Sequence, residues 1–171
     1  MSAAATLTQA REAASRHDWP TAFEAFCAAR GLQPFTLEDL EACAMAAYLI
    51  GKEPECRDIL AEGYREAMRL HQPRSAARFA YWLSHRLLFI GNQSQCAAWR
   101  ARAGSILDEY GGDCVERGYL VMAAGMDHIM AGEPGPAMSL LQQAMEIGSR
   151  FDDQTLRAAA GHGLGRALIG S

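Results

Sequence analysis

Few side chains in this sequence are spaced to do chemistry. Asp127-His128 places a carboxylate beside an imidazole, and His162 lies within Gly161-His162-Gly163-Leu164-Gly165. Asp127 with His128 or His162 would be the general base and its orienting acid. Adjacent helical residues point about 100° apart, so Asp127 and His128 do not face each other. No Ser or Cys on an elbow-like turn joins them as a nucleophile. The glycines around His162 follow no strand and precede no Lys, so they suit helix contacts better than a phosphate loop. The cysteines, Cys27, Cys43, Cys56, Cys96 and Cys114, form no CxxC and no Cys/His pair at zinc spacing. Cys114, beside Gly111-Gly112-Asp113, is the expected exposed thiol, and nothing near it would lower its pKa. The expectation is a noncatalytic protein with no metal and no cofactor, its thiols free in a reducing cytoplasm.

The elements that must position any site are helical. The 171 residues are half hydrophobic, so a sizeable core can form. Val occurs only at Val115 and Val121, and a sheet needs β-branched residues. The abundant Ala, Leu, Met, Glu, Gln and Arg favour helices. A net charge of −4 lacks the footprint of a nucleic-acid binder. The apolar stretch from Tyr119 to Ala131 is too short and too interrupted to span a bilayer, and Met1 to Ala10 is no secretory signal.

Helix breakers cut the sequence into nine helix-sized pieces. They are His17-Asp18-Trp19-Pro20, Gln33-Pro34, Gly51-Lys52-Glu53-Pro54, Gln72-Pro73, Gly91-Asn92, Gly111-Gly112-Asp113, Gly132-Glu133-Pro134-Gly135-Pro136 and Asp152-Asp153. Some recur. His17, Gly51, Gly91, Gly132 and Gly170 are separated by 34, 40, 41 and 38 residues. Aligned on them, Ala10, Ala44, Ser84, Gly125 and Gly163 fall at one position. Ala22, Cys56, Cys96 and Ala137 hold a second, and Ala29, Gly63, Ala103 and Ala144 a third. All are small, as close contact between helices requires. Phe26, Leu60 and Leu141 share a bulky position; Arg100 breaks it, beside Trp99. This period and register point to an all-α, right-handed solenoid of antiparallel helix hairpins, tetratricopeptide-like. Residues 1–171 then read as one domain of about four and a half repeats, with a register that continues past Gly170.

In such a stack the first helix of each hairpin lines a concave face. The register assigns to it Glu38, Glu41, Met45 and Tyr48, then Arg78, Tyr81, His85 and Leu88. Tyr119, Met122, Met126 and Ile129 follow, with Arg157 and Leu164 on the ninth helix. Tyr and Arg anchor interfaces, and Met adapts to varied shapes. The expected partner is a protein, a peptide or an apolar small molecule. Alternatively, long first helices close the groove, and Tyr119, Met122 and Met126 are core. Glu38, Asp39 and Glu41 are expected to cap and charge a helix start. An uncapped C-terminal end would also favour homodimers.

Several segments carry a further likeness. They are Ala10-Arg11-Glu12-Ala13, Asp18-Trp19-Pro20-Thr21-Ala22, Asp39-Leu40-Glu41 and Ala46-Ala47-Tyr48-Leu49-Ile50-Gly51. With them go Ala76 to Leu83, Ala98-Trp99-Arg100-Ala101-Arg102-Ala103 and Gly161 to Ile169. They resemble the N-terminal helical-repeat region of bacterial LuxR-type transcription regulators. Such regulators carry a C-terminal helix-turn-helix, which these residues lack. The resemblance implies a regulatory or interaction module that does not itself bind DNA. The alternatives are a free-standing adaptor or small-molecule binder, and a helical enzyme.

Overall fold

The computed structural model describes residues 3–169. The helices are α1 (Ala3–Ser15), α2 (Trp19–Ala29), α3 (Leu37–Leu49), α4 (Glu53–Arg69), α5 (Pro73–Phe89), α6 (Gln93–Tyr110), α7 (Val115–Met130), α8 (Pro134–Arg150) and α9 (Gln154–Ile169). No strand occurs among the described residues, and no helix there is long and apolar enough to cross a membrane. The fold is the expected all-α solenoid type, built of helix hairpins. The helices form two compact units, one reaching to Arg102 and one beginning at Ala103. In the first, α1 packs on α2, α3 on α4 and α4 on α5, while α1 and α2 both meet α3. In the second, α8 packs between α7 and α9, which also touch each other.

The hairpins turn by one repeated device. Gly51, Gly91 and Gly132 have φ of 77°, 76° and 75°. The next residue in each case closes a helix C-terminus. Lys52 N–H donates to Ala47 O at 2.8 Å, Asn92 N–H to Leu87 O at 3.0 Å, and Glu133 N–H to His128 O at 2.9 Å. Those same residues accept the first hydrogen bond of the following helix, so one helix stops and another starts with three residues between them. Non-glycines do the same at His17, His71 and Asp152, with φ of 60°, 53° and 52°. An added Cβ at Gly51 would meet nothing within 4 Å. Gly51→Ala therefore tests backbone strain alone. It is expected to lower stability by about 1 kcal/mol, read from the urea midpoint.

The small-residue register is a burial register. Ala10, Ala44, Ser84, Gly125 and Gly163 are buried, as are Ala22, Cys56, Cys96, Ala137, Ala29, Gly63, Ala103 and Ala144. Some of these positions hold no room for a methyl group. A Cβ on Gly63 would collide with the Phe79 ring, and one on Gly125 would lie 2.8 Å from Leu141 Cγ. Phe26, Leu60 and Leu141 fill the layers between, all buried. Gly161 and Gly165 face open space, so Gly163 alone of that trio serves a close helix contact. Gly170 lies outside the described residues.

Asp39 does more than charge a helix start. It completes a capping box with Thr36. Its two carboxylate oxygens also accept from Arg11 Nε at 2.7 Å and Nη2 at 2.8 Å, tying α1 to α3.

Candidate functional site

The predicted concave residues divide between the units. In the second unit they are largely packed away. Tyr119 is 5 % exposed and Met122 6 %. Tyr119 donates its hydroxyl to Asp153 Oδ1 at 3.0 Å, and the same oxygen accepts from Leu156 N–H at 2.8 Å. Tyr119 thereby pins α7 to the start of α9. Met126 is half-buried beside Gly163, and Arg157 lies half-buried along Gly148. Tyr119 and Met122 belong to the core of the second unit, as in the closed-groove alternative, while Arg157 stays partly exposed beside Asp152. Its hollow, about 600 Å³, lies elsewhere and is lined by residues including Asp108, Asp113, Arg117 and Arg150. There the charges pair with each other, Arg117 with Asp108 at 3.1 Å and Arg150 with Asp113 at 2.8 Å.

The first unit is different. Close contact joins α1 to α3, whereas α3 and α5 meet through long side chains, Arg86 on Tyr48 and Arg78 with Glu41. Between them is a cleft of about 320 Å³. Glu41, Ala44, Met45 and Tyr48 of α3 line it, with Cys56 and Leu60 of α4 and Phe79, Trp82, His85 and Arg86 of α5. The helix that forms the floor is fixed by the Gly63–Phe79 contact, which sets Phe79 directly against α4. Met45 and Tyr48 are exposed, each 43 %. Arg78 is half-exposed at the margin, 3.8 Å from Glu41.

Of the residues assigned to this face, Met45, Tyr48 and His85 do line the cleft, with Arg78 beside it. Tyr81 does not, being only 3 % exposed. Trp82 and Arg86 take the place on α5 that the register gave to Tyr81. Sequence reasoning missed both because α5 is buried nearly all round, including Ala76, Ala77, Phe79, Ala80, Tyr81, Leu83, Ser84 and Leu87. Apolar periodicity cannot choose one face of such a helix.

The electrostatics centre on Arg86, 5 % exposed. Its guanidinium carbon lies 3.8 Å from the centre of the Tyr48 ring. Its Nη2 lies 2.6 Å from His85 Nδ1. Burial, with Arg86 and Arg100 nearby, pushes the His85 pKa down from 6.5 to about 4. The ring is therefore neutral near pH 7. Nδ1 accepts from Arg86, and the ring proton sits on Nε2. His85 also stacks on Tyr81 and meets Trp82 and Phe89 edge-on.

A depressed folded-state pKa means that acid protonates this histidine in the unfolded chain first. The stability tied to neutral His85 is present above its ordinary value of 6.5 and falls away as pH drops toward about 4. His85→Gln is expected to flatten the pH dependence of the urea midpoint across that window.

His128 Nδ1 pairs with Glu133 Oε2 at 2.6 Å rather than with Asp127. His162 is exposed. Cys114 is fully buried, against the expectation of an exposed thiol, because it is the N-cap residue of α7 and its side chain turns inward. Cys27 is the exposed cysteine, and burial raises its pKa. Cys43 and Cys56 are pushed up to about 12 and about 11, again chiefly by burial. No cluster of three or more metal-ligating side chains occurs among the described residues.

No protein-family model and no curated protein matches the sequence. Solved structures match the fold. Two forms of a Podosopora anserina kinesin light chain-like protein with nearly identical TPR-like repeats superpose with TM-scores of 0.61 and 0.59. Both are 16 % identical over 97 % of this chain, which covers 84 % and 85 % of theirs. The MamA protein superposes with a TM-score of 0.57 at 15 % identity, covering 98 % of this chain and 91 % of its own. At such identities the likeness is one of fold: a tetratricopeptide-like helical repeat.

Proposed function

We propose that this chain is a noncatalytic binding module that takes an amphipathic partner into the α3–α5 cleft of its first unit. The observation that carries this reading is the cleft itself. It exposes Met45 and Tyr48 beside the half-buried Trp82, where the second unit closes the corresponding side chains into core. Helical repeats commonly recognise partners on the surface of their first helices. The sequence resemblance supports a finer placement, in the cytoplasm, as the sensing part of a bacterial LuxR-type regulator. There, occupancy of the cleft would alter an attached output domain.

The test is site-directed photocrosslinking in living cells, with the reactive residue at position 48. A discrete adduct is expected, lost on Met45→Lys and absent when the crosslinker stands at Glu109 on the exposed part of α6. Because Met45 is exposed, Met45→Lys should leave the melting temperature nearly unchanged. The same adducts from position 109, or adducts indifferent to Met45→Lys, would refute the reading.

A further inference from the structure

We infer that the α3–α5 cleft selects a small organic monocarboxylate with an aromatic or short aliphatic body. This rests on the cleft being a binding site and adds what it binds. The body of the cleft is apolar, with Met45, Leu60, Phe79 and Trp82 in its wall. Its volume of about 320 Å³ lies at the small end of pockets that enclose small molecules. One permanent cation is built into that wall. Arg86 is more than nine-tenths buried, yet no carboxylate among the described residues comes within ion-pair distance of it.

A buried charge normally has a counter-charge, because leaving water without one is unfavourable. Here the guanidinium has the ring faces of Tyr48, at 3.8 Å, and Phe89, at 5.4 Å, and one hydrogen bond, to a neutral imidazole nitrogen, but no carboxylate. A guanidinium carries five N–H donors in a planar fork, so donors remain for an anion. The fork matches a carboxylate with two parallel bonds. Neutral His85 leaves an Nε2–H as a further donor on the same wall.

Two acidic residues are near. Glu41 lines the cleft and is turned to Arg78. Glu53, whose Oε1 is buried without a hydrogen-bond partner, acts on the Cys56 thiol, as Arg86 does, but is not paired with Arg86. Arg86 is thus left without a paired carboxylate, and the apolar wall sets what an incoming carboxylate is attached to.

Isothermal titration of the full chain with phenylacetate and octanoate, each against its uncharged amide, tests this. Each acid is expected to bind at least about tenfold more tightly than its amide. Arg86→Gln should abolish that preference, and Arg86→Lys should retain part of it. Should Arg86→Gln fail to fold, the wild-type Arg86 Nε–H resonance still decides. It is expected to shift with phenylacetate and not with phenylacetamide. Equal binding of acid and amide, an undiminished preference in folded Arg86→Gln, or no binding of either acid would overturn the inference. So would an acidic peptide that binds through Arg86 where both small acids fail. If the acids fail while Met45→Lys still removes the crosslinked partner, the cleft remains an interaction surface and only the ligand class falls.

Discussion

Leu141→Ala is expected to lower the unfolding free energy by about 3–5 kcal/mol, a large part of the stability of a chain this size. Leu141 is fully buried, and two helices come close enough to touch it only because their contact residues are glycines. A Cβ on Gly125 would stand 2.8 Å from Leu141 Cγ, and one on Gly163 would stand 2.9 Å from Leu141 Cδ2. Truncation removes the side chain that both glycines were shaped around and leaves a cavity between α7, α8 and α9. The sign of a second substitution should then reverse. Alone, Gly125→Ala overpacks the contact and is expected to cost about 1–3 kcal/mol. In the Leu141→Ala background its methyl enters vacated space, and the helix gains roughly 1 kcal/mol of propensity. Chemical denaturation of the four proteins of this cycle checks the claim. Additive effects would show that the glycines and Leu141 do not share one packing site.

Asp39→Ala is expected to cost about 2–3 kcal/mol near neutral pH, from the lost reciprocal half of the Thr36 capping box and two lost charge-assisted hydrogen bonds. The lower part of the range allows for Arg11, which is half exposed and keeps some of its interaction with water. The Arg11 guanidinium, aided by Thr36, holds the Asp39 carboxyl below its ordinary 3.8. The sign follows from that. A carboxyl with a depressed folded-state pKa stabilises the fold above 3.8, and its contribution disappears as pH falls through the lower, folded-state value. The stability gap between wild type and Asp39→Ala should therefore be widest near neutrality and narrow in acid. A gap that is constant with pH would mean that packing, not the ion pair, carries the effect.

Much of the fold is legible because it is written in residue size. A position where two helices touch accepts only Ala, Gly, Ser or Cys, and those positions recur with the turns. That is why Ala44, Ser84 and Gly125, far apart in sequence, could be aligned before any helix was placed. The cleft is less legible, since it depends on which face of α5 turns outward. Tyr81 and Trp82 are neighbours of similar character, and the sequence offers no reason to prefer either. What decides between them is distant: Gly63 admits the Phe79 ring, and this contact sets the rotation of α5. Arg86 was hidden for a related reason. An arginine before a run of apolar residues reads as a surface charge, and its burial rests on Tyr48 across the cleft with His85 and Phe89 beside it. The burial of Tyr119 was foreseeable only as an alternative, because its partner Asp153 lies two helices away.

The three-residue turns have a consequence for how the surface breathes. The amides of Lys52, Gln72, Asn92, Glu133 and Asp153 sit at hairpin tips, where solvent is plentiful, yet each is already engaged by a carbonyl five residues back. In deuterated water these tip protons should persist alongside those of the helices they join. They can be released only when a whole hairpin end comes undone. Flexibility is thus not where the chain reverses. The slack lies in the longest joint, residues 30–36, where Leu32 is 63 % exposed, and a protease offered the native protein should find it first.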